Sequence, residues 1–232
     1  MSLYTDLLIR TLTRTLFMTG QALESRRVGL DWPGHGDAET MIGDVRLQNI
    51  VELGTTILQE KIPGDFVECG VWRGGATILM AGLLDEADCL DRYVWVCDSF
   101  EGCPKGTGKH EGDPHHTYKF LAVSQEEVQA NFVKYQLLST FVRFVKGFFK
   151  DSLPHPDMKQ IALLRADGDL YESQMQILEA LYDKVSVGGF VIIDDYYNIA
   201  SSHQAAQDFR KQRGITSPMI KVDWCAAYWR KQ

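Results

Sequence analysis

Apolar residues recur along this chain in two rhythms. Between Leu3 and Phe17, Leu8, Leu12 and Leu16 follow at a four-residue spacing, which predicts a helix with one buried stripe. A polar stretch containing Gly and Pro, Ser25 to Asp37, then breaks regular structure. Thr40 or Asp44 is placed to cap the next helix, whose apolar positions Leu47, Ile50, Val51, Ile57 and Leu58 run to Gln59 before Ile62-Pro63-Gly64 ends it. From Asp65 the rhythm changes to short apolar runs alternating with helical segments, the pattern of a parallel sheet covered on both faces. Strands are expected at Phe66 to Cys69, Tyr93 to Cys97, Phe141 to Val145, Ile161 to Ala166 and Phe190 to Ile193. Helices are expected at Ala76 to Ala87, Gln125 to Ser139, Glu172 to Val185 and Gln204 to Gln212. Met219 to Val222 and Cys225 to Trp229 predict two strands meeting near Asp223, an antiparallel edge hairpin.

These elements predict a doubly wound, Rossmann-like α/β fold. With 232 residues and 45% hydrophobic content, one core is the economical expectation, with residues 1–60 an N-terminal helical lid or extension and 61–232 the main domain. The stretch Ser99 to Ser124, rich in Gly and Pro and with three histidines, lacks periodicity; leaving a strand's C-terminal end, it is expected to be a flap over a site.

Composition narrows the partners. The 31 acidic residues outnumber 24 basic ones, and the basic residues are dispersed, so neither nucleic acid nor an anionic membrane is an expected partner. No apolar run is long enough to span a bilayer, and Asp6, Arg10 and Arg14 interrupt any secretory apolar region. The five cysteines are odd in number and lack C-x-x-C spacing, which fits a reducing cytoplasm. Apolar surface at the N-terminal helix and the edge hairpin fits homo-oligomerisation without fixing a subunit number.

The first expected strand runs into Glu68-Cys69-Gly70-Val71-Trp72-Arg73-Gly74-Gly75, and a helix follows at once. Glycines let the backbone turn sharply and approach a ligand, while the N–H groups of the helix start face it. The spacing is G-x-x-x-G-G, not the G-x-G-x-x-G of dinucleotide folds. The second strand ends at Asp98, an acid that can accept both ribose hydroxyls of an adenosine, in a methyltransferase or in a nicotinamide-dependent oxidoreductase.

Four carboxylates end two further strands: Asp167 and Asp169 after the fourth, Asp194 and Asp195 after the fifth. An Asp at a strand end is commonly a turn or cap residue, and Asp169 could simply start a helix. Four anions delivered to one crevice repel one another unless a cation joins them, and hard oxygen donors favour magnesium, calcium or manganese over zinc. Trp32, Trp224, Tyr196 and Tyr197 are candidate walls of a pocket, with core packing the competing role for either Trp. His203, at a helix start, is expected on the surface or beside the cofactor.

The glycine loop resembles motif I of class I S-adenosylmethionine-dependent methyltransferases. More widely, the chain resembles the macrocin O-methyltransferase family, through Asp31-Trp32-Pro33, Glu39 to Gly43 with Arg46-Leu47, Pro63-Gly64-Asp65, Gly70 to Gly75, Asp98 to Gly102, Gly147 to Pro154, Asp167 to Ser173, Gly188 to Ile192 with Asp194-Asp195-Tyr196, and Trp224 with Tyr228-Trp229-Arg230. That resemblance implies methyl transfer from S-adenosylmethionine, with Mg2+, to a small-molecule acceptor, a sugar hydroxyl of a glycosylated natural product; a phenol or catechol hydroxyl is the nearest alternative. It implies Asp167, Asp194 and Asp195 as metal ligands and Asp169 as general base. It implies Glu68, Gly70, Asp98, Ser99 and Asp167 as cofactor contacts, with Met41 in a segment closing over the cofactor and Phe149 near the adenine. Cys103 and the stretch Gly106 to His116 match no part of the family pattern, so they bear on acceptor identity. A non-catalytic module of the same fold would be expected to lack an acidic ligand, and all are present.

Overall fold

A computed structural model of the protein describes residues 2–30, 36–107, 112–155 and 157–232. Trp32 with the whole Asp31-Trp32-Pro33 segment, and residues 108–111 of the Gly106 to His116 stretch, lie outside the described residues.

The strands β1 (Asp65–Cys69), β2 (Val94–Asp98), β3 (Val142–Lys146), β4 (Ile161–Ala166), β5 (Val185–Ile193), β6 (Ile220–Lys221) and β7 (Ala227–Arg230) form one sheet of order β3-β2-β1-β4-β5-β7-β6. β1 to β5 pair in parallel, whereas β7 runs antiparallel to both β5 and β6, giving the expected edge hairpin. The order steps outward from β1 to β2 and β3, then reverses to β4 and β5. The crevice between the tips of β1 and β4 is therefore the switch point where such sheets bind ligands.

Helices cover both faces. On one lie α1 (Leu3–Leu12), α3 (Asp44–Gln59), α4 (Gly75–Glu86) and α5 (Gln125–Lys134), sharing a core built on Leu12, Leu47, Ile57, Ile78, Phe66 and Phe132. On the other, α7 (Tyr171–Leu181) and α8 (Ala200–Gln212) pack Ile177, Leu178, Phe209 and the fully buried Trp229 against β4, β5 and β7. Among the described residues no helix is long and apolar enough to cross a membrane.

Several boundaries differ from the sequence expectation for local reasons. α1 stops at Leu12 because Arg14 turns into the left-handed region (φ 60°), and Thr15 and Leu16 fold back to donate to the Arg10 carbonyl. The helix α2 (Gly20–Arg27) is too polar to show a periodicity; it is anchored by buried Arg26, which donates to the Thr13 carbonyl. Neither Thr40 nor Asp44 caps α3; Gly43 does, because a Cβ there would run into the Arg27 carbonyl and Gly29 nitrogen. α5 ends early at a left-handed Gln136, and β5 begins at Val185, ahead of Gly188 and Gly189. The short helix α6 (Phe149–Ser152) follows β3. The aperiodic stretch after β2 holds two 3-10 turns, His115–Thr117 and Lys119–Leu121, joined to the glycine loop where the Trp72 indole donates to the Phe120 carbonyl at 2.8 Å.

Candidate active site

The tips of β1, β2, β4 and β5 open into a cavity of about 530 Å³. Met41, Gly70, Asp98, Ser99, Phe149, Asp167, Asp169, Asp194 and Asp195 all line it. Glu68 lies just beneath, in a small adjoining pocket that also touches Met41, Gly70 and Arg165.

At the end formed by the β1 and β2 tips, the backbone itself forms the wall. Gly70 has φ 88°, and a Cβ there would strike the Asp167 carbonyl oxygen, so the loop passes over the β4 tip only because it has no side chain. Gly75 opens α4, and its N–H donates to the Glu39 carbonyl at 2.9 Å, which seats the Thr40-Met41-Ile42 segment on the helix start. Asp98 accepts from Val71 N through Oδ2 and from Phe100 N through Oδ1, each at 2.8 Å. Burial nonetheless pushes the Asp98 carboxyl up, against the pull of those backbone donors. Ser99 Oγ adds a longer bond to Oδ1 at 3.4 Å.

At the other end, the fourth and fifth strands bring their acids to one crevice, where Asp169, and not Asp194, groups with Asp167 and Asp195. Carboxylate oxygens of Asp167, Asp169 and Asp195 lie within 4.8 Å of one another, and Asp194, Asp195 and Cys225 form an overlapping group of the same spread. Asp169 is held in the left-handed region (φ 53°), with its carbonyl accepting from Ser201 Oγ at 3.2 Å, so its side chain turns toward Asp195 and does not lead into α7 as a cap. Leu170 takes the cap position.

The four acids are not equivalent. Asp194 is gripped by Arg46 Nη1 at 2.6 Å and Arg165 Nη2 at 2.6 Å, and these charges hold its carboxyl below the ordinary value despite burial. Burial pushes Asp169 up to about 7, helped by the Asp167 charge; it pushes Asp195 to about 7 with help from Asp194 and Asp169. Asp167 moves in the same direction through burial and then the Asp194 charge, although Arg165 Nη1 sits 3.0 Å from its Oδ2. Among the described residues, Asp169 and Asp195 are hydrogen-bonded by thiols, Cys103 Sγ at 3.4 Å and Cys225 Sγ at 3.2 Å, and ion-paired to no cation. Surplus negative charge on convergent hard oxygens is the donor set that fits a divalent cation of the magnesium type.

Glu68 is buried and pairs with Arg165, which sits 2% exposed in the otherwise apolar β4. Burial raises the Glu68 carboxyl to about 7 against the opposing Arg165 charge. Arg165 thereby joins Glu68, Asp167 and Asp194 through one guanidinium, fixing the tips of β1, β4 and β5 to one another.

Sequence reasoning passed over Arg165, and it quoted Arg46 without giving it a part in the site. A charge inside the apolar run Ile161 to Ala166 was the available signal, since a buried guanidinium requires a carboxylate partner. Of the expected aromatic walls, Trp224 lines the cavity, its indole donating to the Val28 carbonyl at 2.7 Å. Tyr196 does not: its ring is buried against His203 (4.4 Å) and its hydroxyl accepts from Gln207. Tyr197, whose ring meets that of Tyr196, is exposed and outside the cavity, because the two tyrosines alternate away from the strand tip. His203 faces Tyr196, not the acids. Tyr118, Leu121 and Cys103 supply the wall from the stretch after β2.

A doubly wound sheet with an antiparallel final strand, a G-x-x-x-G-G loop over β4 and an acid ending β2 define the class I methyltransferase fold. Comparison with solved structures agrees: the O-methyltransferase NovP superposes with a TM-score of 0.94 at 43% identity, covering 99% of this chain and 98% of that one. The calicheamicin methyltransferase CalS11 shares the fold alone, with a TM-score of 0.65 at 22% identity over 98% of this chain and 91% of that one. The macrocin-O-methyltransferase family model matches residues 3–231. A demethyldecarbamoylnovobiocin O-methyltransferase of Streptomyces niveus is 43% identical, covering 99% of this chain and 94% of its own length. A mycinamicin III 3''-O-methyltransferase of Micromonospora griseorubida is 39% identical, over 99% and 96% respectively. The chain belongs to the macrocin-O-methyltransferase family and is an O-methyltransferase, with S-adenosylmethionine the methyl donor that membership implies. The nicotinamide-dependent alternative falls with that result.

Proposed function

We propose that the protein methylates a hydroxyl on the sugar of a glycosylated natural product, using S-adenosylmethionine and a divalent cation of the magnesium type. The observation that carries this is the convergence of Asp167, Asp169 and Asp195 in the same cavity as the glycine loop. The names of the relatives, which act on glycosylated compounds such as mycinamicin III, support the acceptor class.

The donor supplies an electrophilic methyl group, and what remains to be supplied is a deprotonated oxygen in line with it. Glu68, Gly70, Asp98 and Ser99 would hold the donor, with Met41 and Phe149 against its flanks. A sugar hydroxyl roughly five pKa units above neutrality presents a deficit of about 7 kcal/mol. Asp167, Asp194 and Asp195 would hold the cation, whose positive charge would favour loss of that proton. Asp169, which stands beside Asp167 and Asp195, would accept the proton at its Oδ. Trp224, Leu30 and Ile199 offer an apolar wall for the acceptor, while Gln176 and Asn198 offer neutral hydrogen-bonding groups to the hydroxyls of a sugar.

The test is transfer of labelled methyl from S-adenosylmethionine to mycinamicin III, demethyldecarbamoylnovobiocin and a set of catechols, by wild type and Asp169→Asn. The expected result is turnover of a glycoside, with kcat lowered about a hundredfold or more in the variant. Turnover of catechols alone overturns the acceptor, and wild-type turnover by the variant at saturating Mg2+ overturns the role of Asp169.

A further inference from the structure

Arg46 enters from α3, a helix that contributes no acid to the cluster, yet its buried side chain meets three separate segments at the acceptor end of the cavity. Nη1 lies 2.6 Å from Asp194 Oδ2, at the tip of β5. Nε lies 3.2 Å from Asp223 Oδ2, in the turn between β6 and β7. The guanidinium also stands 5.6 Å from the centroid of the Trp224 ring. Space for it is left by Gly29, where a Cβ would come within 2.9 Å of Nη2.

The turn that Arg46 reaches is built around the same aspartate. Asp223 Oδ1 accepts from Cys225 N and Ala226 N at 2.8 Å each, so one oxygen shapes the turn and the other is held by Arg46. The turn then touches the β5 tip twice more, through Cys225 Sγ to Asp195 Oδ1 at 3.2 Å and through Tyr197 N to the Cys225 carbonyl at 2.7 Å. The Asp194 contact is a hydrogen bond, whereas Nε faces Asp223 as an ion pair without hydrogen-bond alignment, so one buried guanidinium holds the turn by charge and the β5 tip by direction.

We infer that Arg46 is a positioning residue that ties the Asp223–Cys225 turn, and with it the Trp224 wall of the acceptor site, to the carboxylate cluster at Asp194. The inference rests on the proposed cation site for its effect on the acids, but its effect on the turn stands on geometry alone. The ion pairs of Arg46 go to Asp194 and Asp223 and not to the glycine loop or Asp98, so donor binding is expected to depend on it less than the turn does.

The experiment compares wild type, Arg46→Lys and Asp223→Asn by hydrogen–deuterium exchange and by calorimetry with S-adenosylhomocysteine and with Mg2+. Arg46→Lys is expected to raise exchange in the 219–230 segment about tenfold while leaving 70–86 unchanged. It is also expected to weaken Mg2+ about tenfold, the usual effect of removing a group that orients a ligand. S-adenosylhomocysteine affinity stays at the wild-type value. Asp223→Asn, which leaves Arg46 on Asp194, loosens the same segment but keeps Mg2+ affinity, separating the two arms of the tie. Unchanged exchange in 219–230 overturns the inference, as does an equal loss of S-adenosylhomocysteine affinity, which would mark a general loss of structure. If wild type itself shows no Mg2+ binding, the cation proposal fails, and the exchange comparison alone still decides the role of Arg46.

Discussion

Asp169 and Asp195 differ from Asp194 by a single circumstance, the presence of a guanidinium. Two arginines hold Asp194 ionised, whereas its neighbours, buried and facing one another, are pushed up to about 7. The sign of the pH dependence follows. A carboxyl whose folded value is raised above its unfolded one binds more protons in the folded state, so stability falls as pH rises from 3.8 to about 7. A cation must displace those protons, so its affinity rises over the same interval. Thermal unfolding with and without Mg2+ should therefore show a larger stabilisation at pH 8 than at pH 5.5; equal shifts at both would contradict this electrostatic account. The acids were legible in the sequence because each ends an apolar strand, where a charge stands out. Their division into paired and unpaired was not, since it depends on Arg46 reaching across from α3, a contact 148 residues distant in the chain.

The element that most constrains the site is the turn from β1 into α4. Gly70 and Gly214 both have positive φ, at 88° and 62°, but a Cβ at Gly70 meets the Asp167 carbonyl while one at Gly214 meets nothing within 4 Å. Gly214→Ala should cost only the backbone penalty, about 1–2 kcal/mol, and keep S-adenosylhomocysteine binding. Gly70→Ala should lower the melting temperature further and weaken that ligand at least about tenfold, since a shift of the loop also displaces the helix start. Similar affinities in calorimetry would show that the loop does not shape the donor site. At this scale the sequence carried the alternation of strand and helix well, because each strand core is a continuous apolar run. It did not carry α2, whose polar composition hides the anchoring arginines Arg26 and Arg27, or the early end of α1 at a left-handed Arg14. The turns at His115–Thr117 and Lys119–Leu121 were also illegible, as the first is shaped by Asp113 and Pro114 and the second is joined to a distant indole on Trp72, with no apolar periodicity in either.

Taken whole, the molecule places the glycine loop with Asp98 and the carboxylate cluster at opposite ends of one cavity across the β1/β4 switch point, with Arg165 clamping the three strand tips beneath. The doubly wound sheet and its antiparallel edge followed from the sequence pattern because crossover connections admit few alternatives. The tyrosines after Asp195 show where that reasoning stops: a residue next to a site in sequence turned into the core, while Trp224, far along the chain, came to the wall.

The central claim is that strand-tip carboxylates gather a divalent ion beside the methyl donor. The most direct measurement is anomalous diffraction from a crystal grown with S-adenosylhomocysteine and Mn2+, which takes the same hard oxygen donors as Mg2+. The account predicts a single strong peak at about 2.0–2.3 Å from carboxylate oxygens of Asp167 and Asp195, with Asp194 completing the protein ligands. A peak elsewhere, or none at those carboxylates with the donor site filled, would contradict it.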